Sequence, residues 1–165
     1  MSSIYNSCDA FHKAPFGAVR AGQAVTFTLR VPAEFGCTAP RLVLHRDGEA
    51  PAPFVLHSAG GADGRDLFTI TLPMPQPGLY FYYFDLYTGY RKLYRGALGE
   101  AYVTTGTGEE YQLTVYEAGF ATPQAIKGGV MYQIFPDRFF EGRPKPMPFA
   151  DRIYRENKSG EPYFW

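Results

Sequence analysis

Across the first 118 residues no stretch holds a helical period, whereas short runs of period two recur between clusters of Gly, Pro and Asp. From Ala24 to Val31 the chain reads AVTFTLRV, so Val25, Phe27, Leu29 and Val31 share one face while Thr26, Thr28 and Arg30 share the other. That is the pattern of a half-buried strand. Arg41–Arg46, Pro53–His57, Asp66–Leu72, Leu79–Tyr87 and Glu110–Tyr116 repeat it, and Arg91–Tyr94 and Ala101–Thr104 are weaker instances. An aromatic content of 17%, with 18 Gly and 14 Pro, suits short strands and tight turns.

About seven short strands without helices between them cannot form a parallel sheet, because each parallel crossover needs a dozen or more residues. The expected fold class is all-β: an antiparallel β-sandwich of immunoglobulin-like type. Leu79–Tyr87 (LYFYYFDLY) carries bulky side chains on both faces and is expected to be a central strand covered on both sides. Phe81 and Tyr83 fall on one face, and Tyr80, Tyr82 and Phe84 on the other, so at least one set belongs to the core.

The pattern changes near Thr122. Residues 1–120 make the sandwich and 121–129 (ATPQAIKGG) a linker, and from 130 a continuous apolar run, VMYQIF, opens a second domain that extends to 165. An apolar run without alternation fits a strand buried on both faces.

Several function classes are disfavoured. Sixteen basic residues balance sixteen acidic ones, which gives no broad cationic surface for nucleic acid or anionic lipid. The longest apolar run, Leu79–Phe84, is far shorter than the roughly 20 residues of a membrane-spanning helix. Residues 1–11 lack a basic stretch and an apolar core of a secretory signal, so a cytoplasmic location is expected. Cys8 and Cys37 fit no metal or redox spacing and read as two partly buried free thiols. His12, His45 and His57 have no second His or carboxylate at ligand spacing and read as surface or strand-edge residues. No phosphate-binding loop, HExxH or GxSxG occurs, and Gly106-Thr107-Gly108 lacks the third glycine of a dinucleotide turn.

The most specific segment is Val130–Phe140, VMYQIFPDRFF. Pro136 ends the strand, leaving Asp137 and Arg138 at its carboxyl end, which in an α/β barrel faces the active site. Tyr132-Gln133-Ile134-Phe135-Pro136-Asp137-Arg138-Phe139 resembles the first barrel strand of the α-amylase family of glycoside hydrolases, in its neopullulanase, cyclomaltodextrinase and pullulanase-like branches. Tyr111–Tyr116 followed by Phe120-Ala121-Thr122-Pro123 is similar to the last sandwich strand and linker before that strand. Asp151-Arg152-Ile153 and Gly160-Glu161-Pro162 resemble its following loop.

The resemblance implies an N-terminal accessory sandwich followed by the first strand and loop of a truncated (β/α)8 barrel. The whole enzyme would be a retaining hydrolase or transglycosylase acting on α-glucans such as starch or pullulan. Its three catalytic carboxylates sit on later barrel strands, and a full barrel takes about 250 residues, so no catalytic residue is expected in this chain. Relatives supply calcium ligands from an Asn-Gly-Asp run where this sequence has Glu141-Gly142-Arg143. An Arg there disfavours a divalent cation, so no metal or cofactor is expected here, calcium elsewhere in the full enzyme being left open.

Sugar rings stack on exposed aromatic faces. Tyr87 and Tyr90, around the Tyr87-Thr88-Gly89-Tyr90 turn, are therefore candidate contacts to an α-glucan oligosaccharide, with Tyr94 also expected to be exposed. Tyr163 and Trp165 are candidates at the end of the sequence. Tyr132, Gln133, Pro136, Asp137 and Arg138 read as structural parts of the barrel strand. Besides the glucan, the implied partner is the remainder of the barrel. Without it, Val130, Met131, Ile134 and Phe135 should dock on the sandwich, pair with a second copy in a homodimer, or be mobile. A stand-alone carbohydrate-binding module and a protein-binding sandwich are the alternatives.

Overall fold

The computed structural model describes residues 3–133. Eleven strands occur in the order β1 (Lys13–Ala14), β2 (Val19–Arg20), β3 (Ala24–Pro32), β4 (Arg41–Arg46), β5 (Ala52–Val55), β6 (His57–Ala62), β7 (Arg65–Pro73), β8 (Gly78–Asp85), β9 (Lys92–Arg95), β10 (Ala101–Thr104) and β11 (Tyr111–Tyr116). Only two short 3-10 turns, Ala33–Phe35 and Gln124–Ile126, interrupt the β structure among the described residues. The chain divides into a unit of Met1–Ala121 and a second of Thr122–Trp165.

In the first unit, one sheet has the order β1-β3-β7-β6. The other, of seven strands, runs β10-β9-β8-β11-β2, with β4 joining β8 to β5. The inward faces form one core, in which Val25, Phe27, Leu29 and Val31 of β3 meet Leu42, Tyr82, Phe84, Leu93 and Leu113 of the second sheet. The Phe27 ring lies 5.1 Å from that of Tyr82 and 6.3 Å from that of Phe84, so the sheets pack face to face as a β-sandwich. On the outward face of β3 and β7, the Thr26 and Thr71 hydroxyls meet at 2.8 Å in a cross-strand pair.

Three expectations are corrected, and the strand β6 is unanticipated. The pairing is not wholly antiparallel: β2 runs parallel to β11, Val19 opposite Val115 and Arg20 opposite Tyr116. A parallel neighbour needs no short crossover when the strands are some ninety residues apart in sequence. Pro53–His57 is not one strand, because the buried Leu56 lies between β5 in one sheet and β6 in the other, its N–H donating to the Pro40 carbonyl at 2.8 Å. β6 reads HSAGGA and is exposed at every position, so it shows no alternation to detect. Finally, β8 is central but not enclosed. Tyr80, Tyr82 and Phe84 are buried while Leu79, Phe81 and Tyr83 are only half-buried, shielded by neighbours such as His45 stacked on Phe81 at 5.7 Å.

The N-terminal segment ties the sheets together. The Arg30 N–H of β3 donates to the Ile4 carbonyl at 2.9 Å, and the Ala101 N–H of β10 donates to the Tyr5 carbonyl at 2.8 Å. Between those two bonds, the fully buried Tyr5 inserts its ring into the core and places its hydroxyl 2.7 Å from that of Tyr82.

His12 is another correction: it is only 3% exposed, with Nδ1 2.8 Å from the Thr28 carbonyl. Cys37 is buried, its Sγ 3.2 Å from the Leu86 carbonyl and its thiol pushed up to about 11 by burial, whereas Cys8 is exposed and not partly buried.

These buried groups set a pH window for stability. Burial lowers the His12 pKa from its ordinary 6.5, so below that value the unfolded chain takes up a proton that the folded chain resists, and stability falls as pH drops. Burial raises the hydroxyls of Tyr5, Tyr82 and Tyr111 well above 10, so above that pH the unfolded chain releases protons that the folded chain keeps. Urea midpoints measured from pH 4 to 11 should therefore decline on both sides, and His12→Gln should flatten the acid side. A midpoint unchanged between pH 6.5 and 4.5 would contradict this origin.

In the second unit, the described residues hold the Gln124–Ile126 turn. Val130, Met131 and Tyr132 are exposed, and 130–133 form no strand. The remainder of the expected barrel strand, with Pro136, Asp137 and Arg138, lies outside the described residues. So do Tyr163 and Trp165.

Candidate functional site

The connection from β8 to β9 builds the site. Leu86, fully buried, anchors it, and its N–H donates to the Arg91 carbonyl at 2.9 Å, closing the loop. Asp85 starts the turn by accepting the Tyr87 N–H on Oδ1 at 2.8 Å. Tyr87 and Tyr90 then adopt φ of +57° and +56°, an uncommon conformation for bulky side chains, and Gly89 adopts +59°. The hydrogen-bonded loop sustains this left-handed backbone. It leaves Tyr87 62% and Tyr90 87% exposed.

A Cβ at Gly89 would stand 2.7 Å from Arg91 Nη1, so a side chain there would require the flexible Arg91 tip to shift. The Arg91 guanidinium is held over the Phe35 ring at 4.5 Å, which fixes the far side of the loop.

A groove of about 630 Å³ opens beside this loop, lined by Asp85, Tyr87, Gly89, Tyr90, Lys92 and Thr105. Two aromatic rings, a carboxylate, an ammonium and a hydroxyl thus converge. That combination suits a neutral polyhydroxylated ligand, whose ring faces are apolar and whose rim both donates and accepts. Asp85 and Lys92 are cross-strand neighbours, yet among the described residues neither belongs to an ion pair. Both are half-buried, Asp85 Oδ1 accepting the Tyr87 N–H and the Lys92 ammonium lying 5.7 Å from the Tyr83 ring centroid.

A second cleft, of about 440 Å³, lies between the β4–β5 edge and the end of β7, with Leu44, Phe54, Leu72 and Tyr80 among its lining. Its polar groups are already engaged: Arg46 pairs with Glu49 at 2.8 Å and donates to Gln76 at 2.9 Å. It offers a ligand little hydrogen bonding.

The structure brings Tyr87 and Tyr90 together on one groove, as the turn sequence suggested. Tyr94 does not join them. It is only 4% exposed, because on β9 its ring stacks against Tyr83 at 4.8 Å. Burial raises both of these hydroxyls above their ordinary 10, with Asp85 and Glu110 adding to it for both and Tyr83 adding to it for Tyr94. Sequence reasoning missed Asp85 and Lys92 as groove residues; their signal is pairing across the β8–β9 hairpin. It also missed the link between His45 and Glu110, whose Nε2 and Oε2 meet at 2.8 Å although 65 residues separate them. Among the described residues no group of three or more His, Cys, Asp or Glu is arranged to hold a metal ion.

Comparison with known proteins gives a consistent likeness. The chain is 34% identical over 160 aligned positions to an amylopullulanase of Thermoanaerobacterium saccharolyticum, covering 84% of this chain and 11% of the relative. It is 32% identical to an amylopullulanase of Thermoanaerobacter thermohydrosulfuricus, covering 84% and 10%, and 35% identical to one of Thermoanaerobacterium thermosulfurigenes, covering 84% and 8%. No protein-family model matches the chain. These identities support a region of an α-amylase-family glycosidase, without separating the branches of that family. The chain spans about a tenth of the length of the curated relatives it matches.

Proposed function

We propose that this chain is the N-terminal accessory region of an α-glucan-degrading glycosidase. Residues 1–120 serve as an immunoglobulin-like sandwich and 130–165 open the catalytic (β/α)8 barrel. The observation that carries this reading is the 32–35% identity to amylopullulanases over 84% of the chain. Hydrolysis by a retaining mechanism takes place on barrel strands beyond this sequence, with the sandwich as support. The groove at Tyr87 and Tyr90 receives a stretch of α-glucan. Support for this role comes from its two exposed rings beside Thr105 and beside Asp85 and Lys92, neither of which belongs to an ion pair among the described residues.

Binding of a sugar chain across one turn should be modest. Calorimetric titration of the 165-residue chain with maltoheptaose and with pullulan is expected to give saturable binding with Kd of about 10 μM to 1 mM. Cellohexaose, whose β-linkages present a flat ribbon, should bind at least about tenfold more weakly. Absence of saturation by both α-glucans at 10 Kd of the upper limit would reject the groove as a glucan site. It would leave the sandwich with the support role alone.

A further inference from the structure

Tyr87 does not stand alone at the groove. Arg41, the first residue of β4, faces Asp85 of β8 in register. Its guanidinium lies over the Tyr87 ring with Cζ 4.0 Å from the centroid, and Nη1 donates to the Tyr87 hydroxyl at 3.1 Å. A single group thus fixes both the plane of the ring and its outer end. No carboxylate competes for it, since the ion pairs among the described residues involve His45, Arg46 and Arg95. The Nε of Arg41 is buried without a hydrogen-bond partner among the described residues, so the ring and its hydroxyl are what hold the head of this side chain.

We propose that Arg41 is the positioning residue of the glucan groove, holding the Tyr87 ring in its binding orientation before a sugar arrives and leaving one ring face open to it. This role rests on the reading of the groove as a glucan site. An exposed tyrosine with free χ angles loses that freedom when a sugar stacks on it, and the ordering subtracts from affinity. A ring already clamped loses less. The guanidinium also occupies one face, so a bound glucan meets the opposite face of Tyr87 together with Tyr90. Arginine suits the task because its planar, delocalised head stacks and donates at once, whereas a lysine ammonium is a compact point charge.

A double-mutant cycle on the full chain tests this, with maltoheptaose titrated calorimetrically into the wild type, Arg41→Ala, Arg41→Lys, Tyr87→Ala and the Arg41→Ala/Tyr87→Ala pair. Urea unfolding of each variant checks that it folds. Arg41→Ala should weaken binding about fivefold. Arg41→Lys, which keeps the charge and most of the packing, should weaken it about two- to threefold. In the Tyr87→Ala background the Arg41 change should cost less than about twofold, because the ring it positions is gone. Equal losses in both backgrounds, or wild-type affinity in Arg41→Ala and Arg41→Lys, overturn the positioning role. If wild-type binding disappears with Tyr90→Ala yet ignores Arg41, the groove stands and only Arg41 is dismissed. A wild type that does not saturate overturns both.

Discussion

Tyr5→Ala should remove about 3–5 kcal/mol of stability, the range for deleting a fully buried large aromatic side chain. The ring is surrounded by Phe84 at 4.7 Å, Tyr111 at 5.0 Å, His12 at 5.6 Å and Tyr82 at 6.3 Å between centroids, so its loss leaves a cavity bounded by other rings. Those neighbours come from β8, β11 and the segment before β1, and are held by their own backbone pairing, so they cannot readily collapse together into the gap. The change also strips the Tyr82 hydroxyl of the partner it has at 2.7 Å, which adds a desolvation cost. Against a total of about 5–15 kcal/mol for an ordinary domain, the loss is a large fraction. Tyr5→Phe separates the two contributions: it keeps the ring and should cost about 1 kcal/mol. Urea unfolding at pH 7 measures both. An alanine variant no less stable than the phenylalanine one would show that the N-terminal segment is dispensable to the core.

The largest effect on binding is expected from Tyr90→Ala, which should weaken maltoheptaose at least about tenfold while changing the urea midpoint little. Tyr90 is the most exposed aromatic of the groove, at 87%. Its removal takes away a stacking surface without opening a cavity. The left-handed backbone at this position argues the same way, since alanine tolerates it no better and no worse than tyrosine by more than a fraction of a kcal/mol. Tyr90→Gly would relieve that backbone and should bind no better than the alanine variant. Glucan affinity retained by both variants would move the site away from this turn.

Much of the sandwich was legible because alternation marks strands with one wet face. β3, β4 and β10 begin where their sequences predict, and the division of Tyr80, Tyr82 and Phe84 from Phe81 and Tyr83 is the one observed. The losses share a cause. β1 and β2 have two residues each, too few to carry a period, and the small, exposed residues of β6 have no apolar member to alternate. Tyr5 lies in a segment with no strand pattern, so nothing local marks it as core. The glycine turn marks Tyr87 and Tyr90 as exposed, as they are, but the same reasoning fails for Tyr94 because its covering partner, Tyr83, is on the neighbouring strand. Arg41 is invisible for the same reason: its contact runs from β4 to the β8–β9 connection and depends on the β4–β8 register, which composition does not encode.

The order in which the core is completed follows from the N-terminal bonds. Ile4 and Tyr5 are held by Arg30 and Ala101, and β2 finds its neighbour only in β11. During synthesis Val19 and Arg20 must therefore wait for Tyr111–Tyr116 before they can pair, whereas Ile4 and Tyr5 can be held once Arg30 and Ala101 have emerged. Such distant closures make assembly slow and late. Ribosome-held nascent chains stalled before that strand would leave β2 unpaired and protease-sensitive, and those released beyond it would protect it.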